Sequence, residues 1–487
     1  QSPDRRAPLE AGISFTAPDG APLARITPGQ PFRVELSLTS ITGSLPRALR
    51  PMAWIRPVAL SDLPCTETAA AYRATGRGSA GTVDLNGLVF GILTQDEALT
   101  ILDPERSVGT ANLVSAQRFD EAPAAMIADE VAGRFILSLP QSGRVVAVAP
   151  MGPVQDLAMG LAQPDALAPH PFGGVWVLEK GSGDVLIVGD KGVTARLPLN
   201  ARAIAVAGNR LAVLALDQVA LLDPQGTALI RQAGQAAAVA ASASDQGAAL
   251  LWLTGDRLRI AWADAPDAPL EIPLHRRHDR LAVSPDGRFA FAFGGGAEVS
   301  VVDLSLSRVV QVVGHASPVA EVAFLSGAAF LRTGDGAMAG IMDLRMIKPG
   351  AQPVVGQFAL GATSAPDPGA ALLAPMQPED QMLVVNAPGF TGFVLDTSHG
   401  TSGKPPMEAI PLRGGIPHIV RALDRGLRRS MAQASGTERF TTAARLPMAA
   451  EYEIVVSAGI GEASFCAPVP VDAPPPAPAA LPGTALA

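Results

Sequence analysis

The stretch LAVSPDGRFAFAFGGGAEVSVVDLSLSRVVQVV, residues 281–313, decides the fold. It divides into four short apolar runs separated by turn residues, with Pro285, Asp286 and Gly287 after the first run and three glycines, 294–296, after the second. Short runs rich in Val and Phe and bounded by Gly and Pro are typical of antiparallel strands, and residues 288–293 alternate as a half-buried strand does. One four-stranded sheet buries too little apolar surface to be stable alone, so the stretch predicts one blade of a β-propeller.

The same unit recurs from about residue 83 to residue 412, with a period of roughly 32 to 45 residues. Most repeats contain an aliphatic run that ends in aspartate, at Asp103, Asp190, Asp223, Asp303, Asp343 and Asp396. Eight units are found, at about 83–115, 120–160, 164–199, 202–233, 235–274, 278–314, 316–359 and 369–413. The sequence therefore predicts an all-β chain with a seven- or eight-bladed propeller, and eight is favoured unless one short unit is a loop. The first unit lacks an inner strand, which a late segment could supply to close the ring.

The two ends of the chain share a different pattern. Residues 12–80 and 415–470 each carry a few strongly alternating runs, such as 32–38 and 452–456, but neither end has enough strands for a core of its own. Together they predict one Ig-like β-sandwich beside a propeller at 81–414. Residues 1–11 are expected to be a flexible N-terminus, and the Pro- and Ala-rich residues 471–487 a disordered tail.

Composition limits the partners and the compartment. The net charge is −8, and an acidic surface repels phosphate backbones, so no nucleic-acid partner is expected. No apolar stretch is long enough for a membrane span. The chain begins at Gln1 without a signal stretch, which we interpret as a periplasmic or extracellular protein whose signal peptide has been removed; a trimmed chain is the alternative.

Two cysteines, Cys65 and Cys466, lie near opposite ends of the chain. An exported protein meets an oxidising compartment, and two cysteines allow only one intramolecular pairing. Each also lies beside a segment assigned to the sandwich. The sequence therefore predicts a disulfide between them, over the rival readings of a buried thiol pair or a two-cysteine metal site. The metal site is disfavoured because no His or further Cys flanks either residue.

The motif SPDGRF at 284–289, with VSVVD at 299–303, resembles the blades of YVTN-type propellers. That group includes the propellers of haem-containing nitrite reductases and of quinoprotein amine dehydrogenases. The resemblance covers about two thirds of the chain and is specific for fold rather than for function. Residues 382–388 and 417–428 are also similar to secreted propellers of bacterial periplasmic redox systems, which implies a periplasmic redox protein as partner. The chain departs from the enzymes of the group because it has no C-x-x-C-H haem-attachment motif.

Candidate site residues are few. Met376, Met382, His399 and His418 combine thioether and imidazole groups, which suit copper, although methionine is also ordinary core filler. His278 belongs to the HRRH segment at 275–278, which is either a rim site or a basic loop between blades. His315 follows a blade and either faces the axis or caps a turn.

Catalytic motifs are not found: no Gly-x-Ser-x-Gly elbow and no His-Glu-x-x-His occurs. The sequence therefore favours a non-catalytic binding or scaffold subunit without a cofactor, associated through a protein partner with a redox or metal-handling complex. The alternative is an enzyme or electron carrier that uses copper or a non-covalent cofactor.

Overall fold

The computed structural model describes residues 9–472 except 19, 41–44, 46–48, 61–62, 77, 80, 105–111, 151, 246, 378–379, 400–408, 430–436 and 461–462. The predicted tail beyond residue 472 and the first eight residues of the predicted flexible terminus lie outside this part, whereas residues 9–11 belong to a strand. The chain forms two compact units. One comprises Leu88–Asp424, and the other comprises the residues up to Gly87 together with those from Arg425 onward.

The unit Leu88–Asp424 consists, in its described residues, of eight four-stranded antiparallel sheets. With the innermost strand first, the first four sheets are sheet 1 (Pro417–Asp424, Leu88–Thr94, Ala98–Leu102, Leu113–Arg118), sheet 2 (Ala125–Asp129, Arg134–Leu139, Arg144–Val148, Gln155–Ala158), sheet 3 (Pro164–Pro169, Val175–Glu179, Asp184–Gly189, Gly192–Pro198) and sheet 4 (Ala201–Ala207, Arg210–Ala215, Gln218–Leu222, Ala228–Ala233). The others are sheet 5 (Ala238–Ser244, Gly247–Thr254, Arg257–Trp262, Ala265–Pro273), sheet 6 (Arg280–Val283, Phe289–Phe293, Glu298–Asp303, Arg308–Gly314), sheet 7 (Val319–Phe324, Ala328–Thr333, Met338–Asp343, Gly356–Ala359) and sheet 8 (Leu373–Met376, Gln381–Asn386, Thr391–Leu395, Ala409–Pro411).

The second strand of each sheet is largely buried on both faces, because both faces pack against a neighbouring sheet. Phe289–Phe293 shows the pattern: its phenylalanines join a cluster shared with sheet 7, and the alanines Ala290 and Ala292 join one shared with sheet 5. The alternation is therefore between large and small apolar side chains on two buried faces. The prediction that this strand is half-buried is wrong.

Eight such apolar clusters, each shared by two successive sheets, connect the sheets into a closed ring. The last cluster joins sheet 8 to sheet 1 and contains Leu383 together with Phe90 and Val420. Closure depends on Pro417–Asp424, which pairs antiparallel with Leu88–Thr94 as the inner strand of sheet 1.

A late segment thus completes the first unit, as the sequence predicted, but the strand that does so had been assigned to the sandwich. An alternating strand does not reveal which sheet it joins. Ile419 and Leu423 face sheet 2, and Val420 and Ala422 face sheet 8, so both faces of the strand are covered inside the ring.

The described residues of the second unit form two four-stranded sheets built from both ends of the chain. Their strands are Leu9–Thr16, Pro31–Ser40, Thr437–Arg445 and Arg428–Arg429 in one sheet, and Val83–Asp84, Met52–Pro57, Tyr452–Ser457 and Ser464–Val469 in the other. Pro31–Ser40 pairs with Thr437–Arg445, and Met52–Pro57 pairs with Tyr452–Ser457. The inward side chains of both sheets form one apolar core.

One α-helix occurs in the described residues, Cys65–Thr75, together with short 3-10 turns at Val58–Leu60 and Leu344–Met346. The alanine-rich segment favours this helix, which ends at Gly76 with φ 67°. Its first residue, Cys65, is joined to Cys466 of the last strand, so the predicted disulfide is present. Over the residues that the structure describes, no helix has the length and apolar character to cross a bilayer.

Candidate binding site at one end of the ring

The antiparallel order sorts the connections between strands onto the two ends of the ring. Connections from the second to the third strand of a sheet, and from an outermost strand to the next inner strand, emerge at one end, which we call the cleft end. Connections from the first to the second strand and from the third to the fourth emerge at the opposite end. Two of the predicted site residues, His278 and His418, precede or begin inner strands and so lie at the cleft end.

A cleft of about 560 Å³ opens at this end between sheets 5 and 6. We call it the basic cleft after Arg276 and Arg277 of the HRRH segment, although Asp279 and Glu298 offset their charge. Its lining residues are Ala237, Gly255, Arg276, Arg277, His278, Asp279, Gly295 and Glu298. Half of them come from the segment 275–279, which leads into the inner strand Arg280–Val283. The HRRH segment of the sequence is therefore one wall of a concave site.

The three glycines 294–296 form the floor on which this segment rests. The carboxylate of Asp279 lies over Gly294 and the guanidinium of Arg276 lies over Gly296, so closely that a Cβ atom at either glycine would collide with them. Arg276 also donates from Nη2 to the carbonyl of Gly295 at 2.7 Å, and its Nη1 lies 3.7 Å from the Glu298 carboxylate. The glycine run is thus explained by close packing of charged side chains on bare backbone.

His278 anchors the segment from below. It is 3% exposed, its Nδ1 lies 3.2 Å from the Gly294 carbonyl and its Nε2 lies 2.9 Å from the Ser300 hydroxyl. Because a carbonyl only accepts, Nδ1 is the donor and Nε2 accepts from Ser300. Burial lowers the pKa of His278, which favours this neutral, fully bonded form. The structure therefore gives His278 an anchoring position instead of a free place on the rim.

Arg277 is the exception in this wall. It is exposed, and its side chain makes no hydrogen bond or ion pair with any described residue. Its neighbours in the chain are both fixed, Arg276 by Gly295 and Glu298, and His278 by Gly294 and Ser300. An unpaired guanidinium thus projects from a rigid backbone at the edge of a cleft.

A second group of charges lies around the inner strands of sheets 6, 7, 8 and 1. We call it the central cluster, and it comprises Arg280, Glu321, Arg332, Asp367, His418 and Arg421. Glu321 accepts from Arg332 Nε at 2.8 Å and from the backbone N–H groups of Leu372 and Leu373. Its carboxylate therefore ties sheet 7 to sheet 8.

His418 is oriented by Asp367, whose Oδ2 lies 2.9 Å from its Nδ1. The other carboxylate oxygen accepts from Gly369 N at 3.0 Å. This arrangement makes Nδ1 the donor and leaves the lone pair of Nε2 free, on a side chain that is 24% exposed. Across the described part of the chain, however, no three His, Cys, Asp or Glu side chains gather as a metal site.

The structure does not bring together the four residues of the copper hypothesis. Met376 and Met382 lie on adjacent strands of sheet 8 but face opposite sides, Met376 towards sheet 1 and Met382 towards sheet 7. His399 lies at the opposite end of the ring from His418, with its Nδ1 2.9 Å from Asp396. The two thioethers are separated by the sheet itself and cannot share an ion.

His315 does not face the axis. It follows Arg308–Gly314, the outermost strand of sheet 6, and its ring lies over Gly340 of sheet 7. Both ring nitrogens are buried without a hydrogen-bond partner, and burial lowers the pKa of the imidazole. The alternative prediction, that His315 caps a turn, does not describe the imidazole either, because neither ring nitrogen makes a hydrogen bond in the described residues.

Sequence reasoning missed Glu321, Arg332 and Arg421. Their signal was present, because each is a charge within a largely apolar strand of the ring. Glu321 and Arg421 lie on inner strands, which are far from the solvent around the outside of the ring. A charge at such a position must point to the centre of the ring or find a partner.

No family model and no curated protein matches this chain. Among solved structures, it is similar to apo AztD from Citrobacter koseri, with 14% identity over 69% of this chain and 98% of that one and a TM-score of 0.50. A second AztD structure from Citrobacter koseri has 12% identity over 76% of this chain and 98% of that one, also with a TM-score of 0.50. These likenesses show a β-propeller fold. The narrower YVTN-type resemblance stays a prediction.

Proposed function

We propose that this chain is a non-catalytic binding subunit, an eight-bladed propeller with an Ig-like sandwich, which holds a protein partner at the cleft end of the ring. The observation that carries the proposal is the basic cleft, in which His278 and the glycine floor fix the backbone on both sides of Arg277. A preorganised site loses little conformational entropy on binding, and arginine is among the residues that contribute most at protein interfaces.

The proposed compartment is the periplasm or the extracellular space. A disulfide between Cys65 and Cys466 is consistent with secretion, because such bonds persist in oxidising compartments. The association with a redox or metal-handling complex rests on the sequence resemblance to periplasmic redox propellers and belongs to the same proposal.

The experiment is purification of the full chain from its native host, followed by measurement of partner affinity for two charge reversals. Arg277→Glu should weaken the stoichiometric complex by about tenfold or more, because it places a carboxylate where a guanidinium projects. Arg308→Glu is the matched control, since Arg308 is also exposed but begins the outermost strand of sheet 6 at the opposite end. Equal affinity of the two variants, or the absence of any stoichiometric partner, would overturn the proposal.

A second candidate is an electron carrier or enzyme with a non-covalent cofactor. One observation favours it: Asp367 orients His418 with a free Nε2 near the centre of the ring. A visible absorption spectrum and metal analysis of the native protein separate the candidates, because a bound chromophore or a stoichiometric transition metal is expected only for the second.

A further inference from the structure

Arg421 enters an apolar interface deep in the ring. It lies on the closing strand Pro417–Asp424, between Ile419 and Leu423, which both pack into the apolar cluster shared by sheets 1 and 2. Its Nε donates to the carbonyl of Met126, on the inner strand of sheet 2, at 3.0 Å. Its Nη1 donates to the carbonyl of Val420 at 2.9 Å.

Both of these partners are neutral, so the charge of Arg421 is not matched by a bonded carboxylate. Burial lowers the pKa of Arg421, and the charge of the Glu321 carboxylate opposes this shift only in part. The oxygens of Glu321, however, already accept from Arg332 and from two backbone N–H groups. An ion pair at a distance therefore has to offset the partial desolvation of the guanidinium.

The charges of the central cluster as a whole do not balance either. Arg280, like Arg421, donates only to carbonyls, those of Ala320 at 2.6 Å and Pro368 at 3.1 Å. Asp367 is engaged by His418 and by the Gly369 N–H group. Three guanidinium groups thus face two occupied carboxylates, in a chain whose net charge is −8.

We propose that the centre of the ring binds a small oxyanion, a carboxylate or a phosphate, through the guanidinium of Arg421. A guanidinium carries five N–H donors, and the two carbonyls use two of them; Nη2 makes no hydrogen bond to any described residue. The planar fork of an arginine matches two oxygens of one anion. Arg421 is neither exposed nor fully buried, so a small ion reaches it and a protein surface does not.

This site is independent of the proposed partner site. Arg277 lies at the edge of the basic cleft and Arg421 on the closing strand, and they differ in accessibility. Substitutions at the two arginines therefore separate failure of this inference from failure of the proposed function.

The test is isothermal titration of the full chain with inorganic phosphate, acetate and succinate at constant ionic strength, beside thermal unfolding in the same solutions. Wild type should bind at least one of these anions saturably, with one site per chain, and its Tm should rise along the same saturation curve. The phosphate and carboxylate arms identify which oxyanion the site prefers. No saturable binding of any of the three to wild type would overturn the inference.

Three variants locate the site. Arg421→Gln should weaken binding by about tenfold or more, and Arg277→Gln should leave it unchanged. Because Arg421→Gln also removes two hydrogen bonds of the closing strand, Arg421→Lys is measured beside it; it keeps the charge and loses the fork, so its affinity should fall between those of wild type and Arg421→Gln. Binding that survives in both Arg421 variants, or that is lost in Arg277→Gln, would refute the assignment.

Discussion

The disulfide between Cys65 and Cys466 should stabilise the two sheets outside the ring more than it stabilises the ring itself. The bond spans 401 positions of the sequence. In the chain-entropy model, a loop of that length restricts a fully unfolded chain by about 6 kcal/mol at 25 °C. Complete unfolding of the double variant Cys65→Ala/Cys466→Ala should therefore require up to about that much less free energy.

The disulfide stabilises less when only the two sheets of the second unit unfold. While the ring stays folded, Leu88 and Asp424 remain paired on neighbouring strands of sheet 1. The loop that the disulfide then closes runs only through the flanking segments, about 65 residues in all, which corresponds to about 4 kcal/mol. The variant should thus open Pro31–Ser40 and its partner strands more easily by about 4 kcal/mol, while sheet 6 keeps its protection.

Hydrogen exchange followed by mass spectrometry measures the protection of the second unit and of the ring separately. Urea unfolding measures the free energy of complete unfolding. The control is wild type in a reductant, which breaks the bond but keeps both cysteine side chains. The reasoning would be refuted if Pro31–Ser40 lost less than about 1 kcal/mol of protection. It would also be refuted if Phe289–Phe293, at the core of sheet 6, lost as much protection as the outer strands.

Side chains inside the ring give three further measurable outcomes. Arg134→Met should cost about 3 to 5 kcal/mol in urea unfolding, since it leaves Asp129 buried without its ion-pair partner; Arg134→Met/Asp129→Leu should recover most of that loss, and no recovery would contradict the explanation. Gly174→Ala should lower the free energy of unfolding by about 2 kcal/mol, because φ is +81° and the added Cβ meets the Val188 carbonyl; an unchanged Tm would count against this. His315 has its pKa lowered by burial from the ordinary value of 6.5, so its neutral ring stabilises the fold fully above that pH, and this contribution is lost as the pH falls through the lowered pKa. His315→Phe should therefore show a shallower loss of stability than wild type on acidification, and identical pH profiles in urea unfolding would contradict it.

The repeat could be predicted because its signals are local. The aspartate at the end of the third strand illustrates this: Asp303 Oδ1 accepts from the backbone N–H groups of Ser305 and Leu306, so it fixes the next turn within a few residues. Turn glycines such as Gly287, with φ 71°, act over the same short range. The residues that form the turns of each sheet therefore lie within its own repeat, and they recur along the sequence with the period of that repeat.

Pairings over long separations could not be read in the same way. Pro417–Asp424 alternates like the strands outside the ring, and only its partner Leu88–Thr94, more than 300 positions earlier, decides that it belongs to sheet 1. The helix Cys65–Thr75 was missed for a different reason. Its weak amphipathic pattern gives little periodicity, and it is held by Arg56, which donates to Thr68 at 2.8 Å, and by the disulfide.

The candidate site likewise combines features that the sequence shows locally with a juxtaposition that only strand pairing creates. The HRRH segment at 275–278 and the glycine run at 294–296 were both visible in the sequence, but only the register of sheet 6 lays one on the other. Arg421 was visible as a charge in its strand but was not singled out, because one arginine in an alternating strand usually marks a face exposed to bulk solvent. Here that face packs towards sheet 2, so the charge lies at an interface between two sheets and not in bulk solvent.

The position of Arg421 also has an energetic consequence for the ring. Among the described strands of the ring, the closing strand is the one inner strand that comes from the far end of the chain, so the ring cannot close until Pro417–Asp424 pairs with Leu88–Thr94. A cation bonded only to carbonyls weakens this strand, because its desolvation is not repaid by a direct ion pair. An anion that binds Arg421 in the closed ring, and not in the open chain, would stabilise closure by about 2.7 kcal/mol at a concentration 100 times its Kd. Occupancy of the centre and closure of the ring are thereby linked: an anion at Arg421 should slow hydrogen exchange first in Leu88–Thr94, the strand that the closing segment covers.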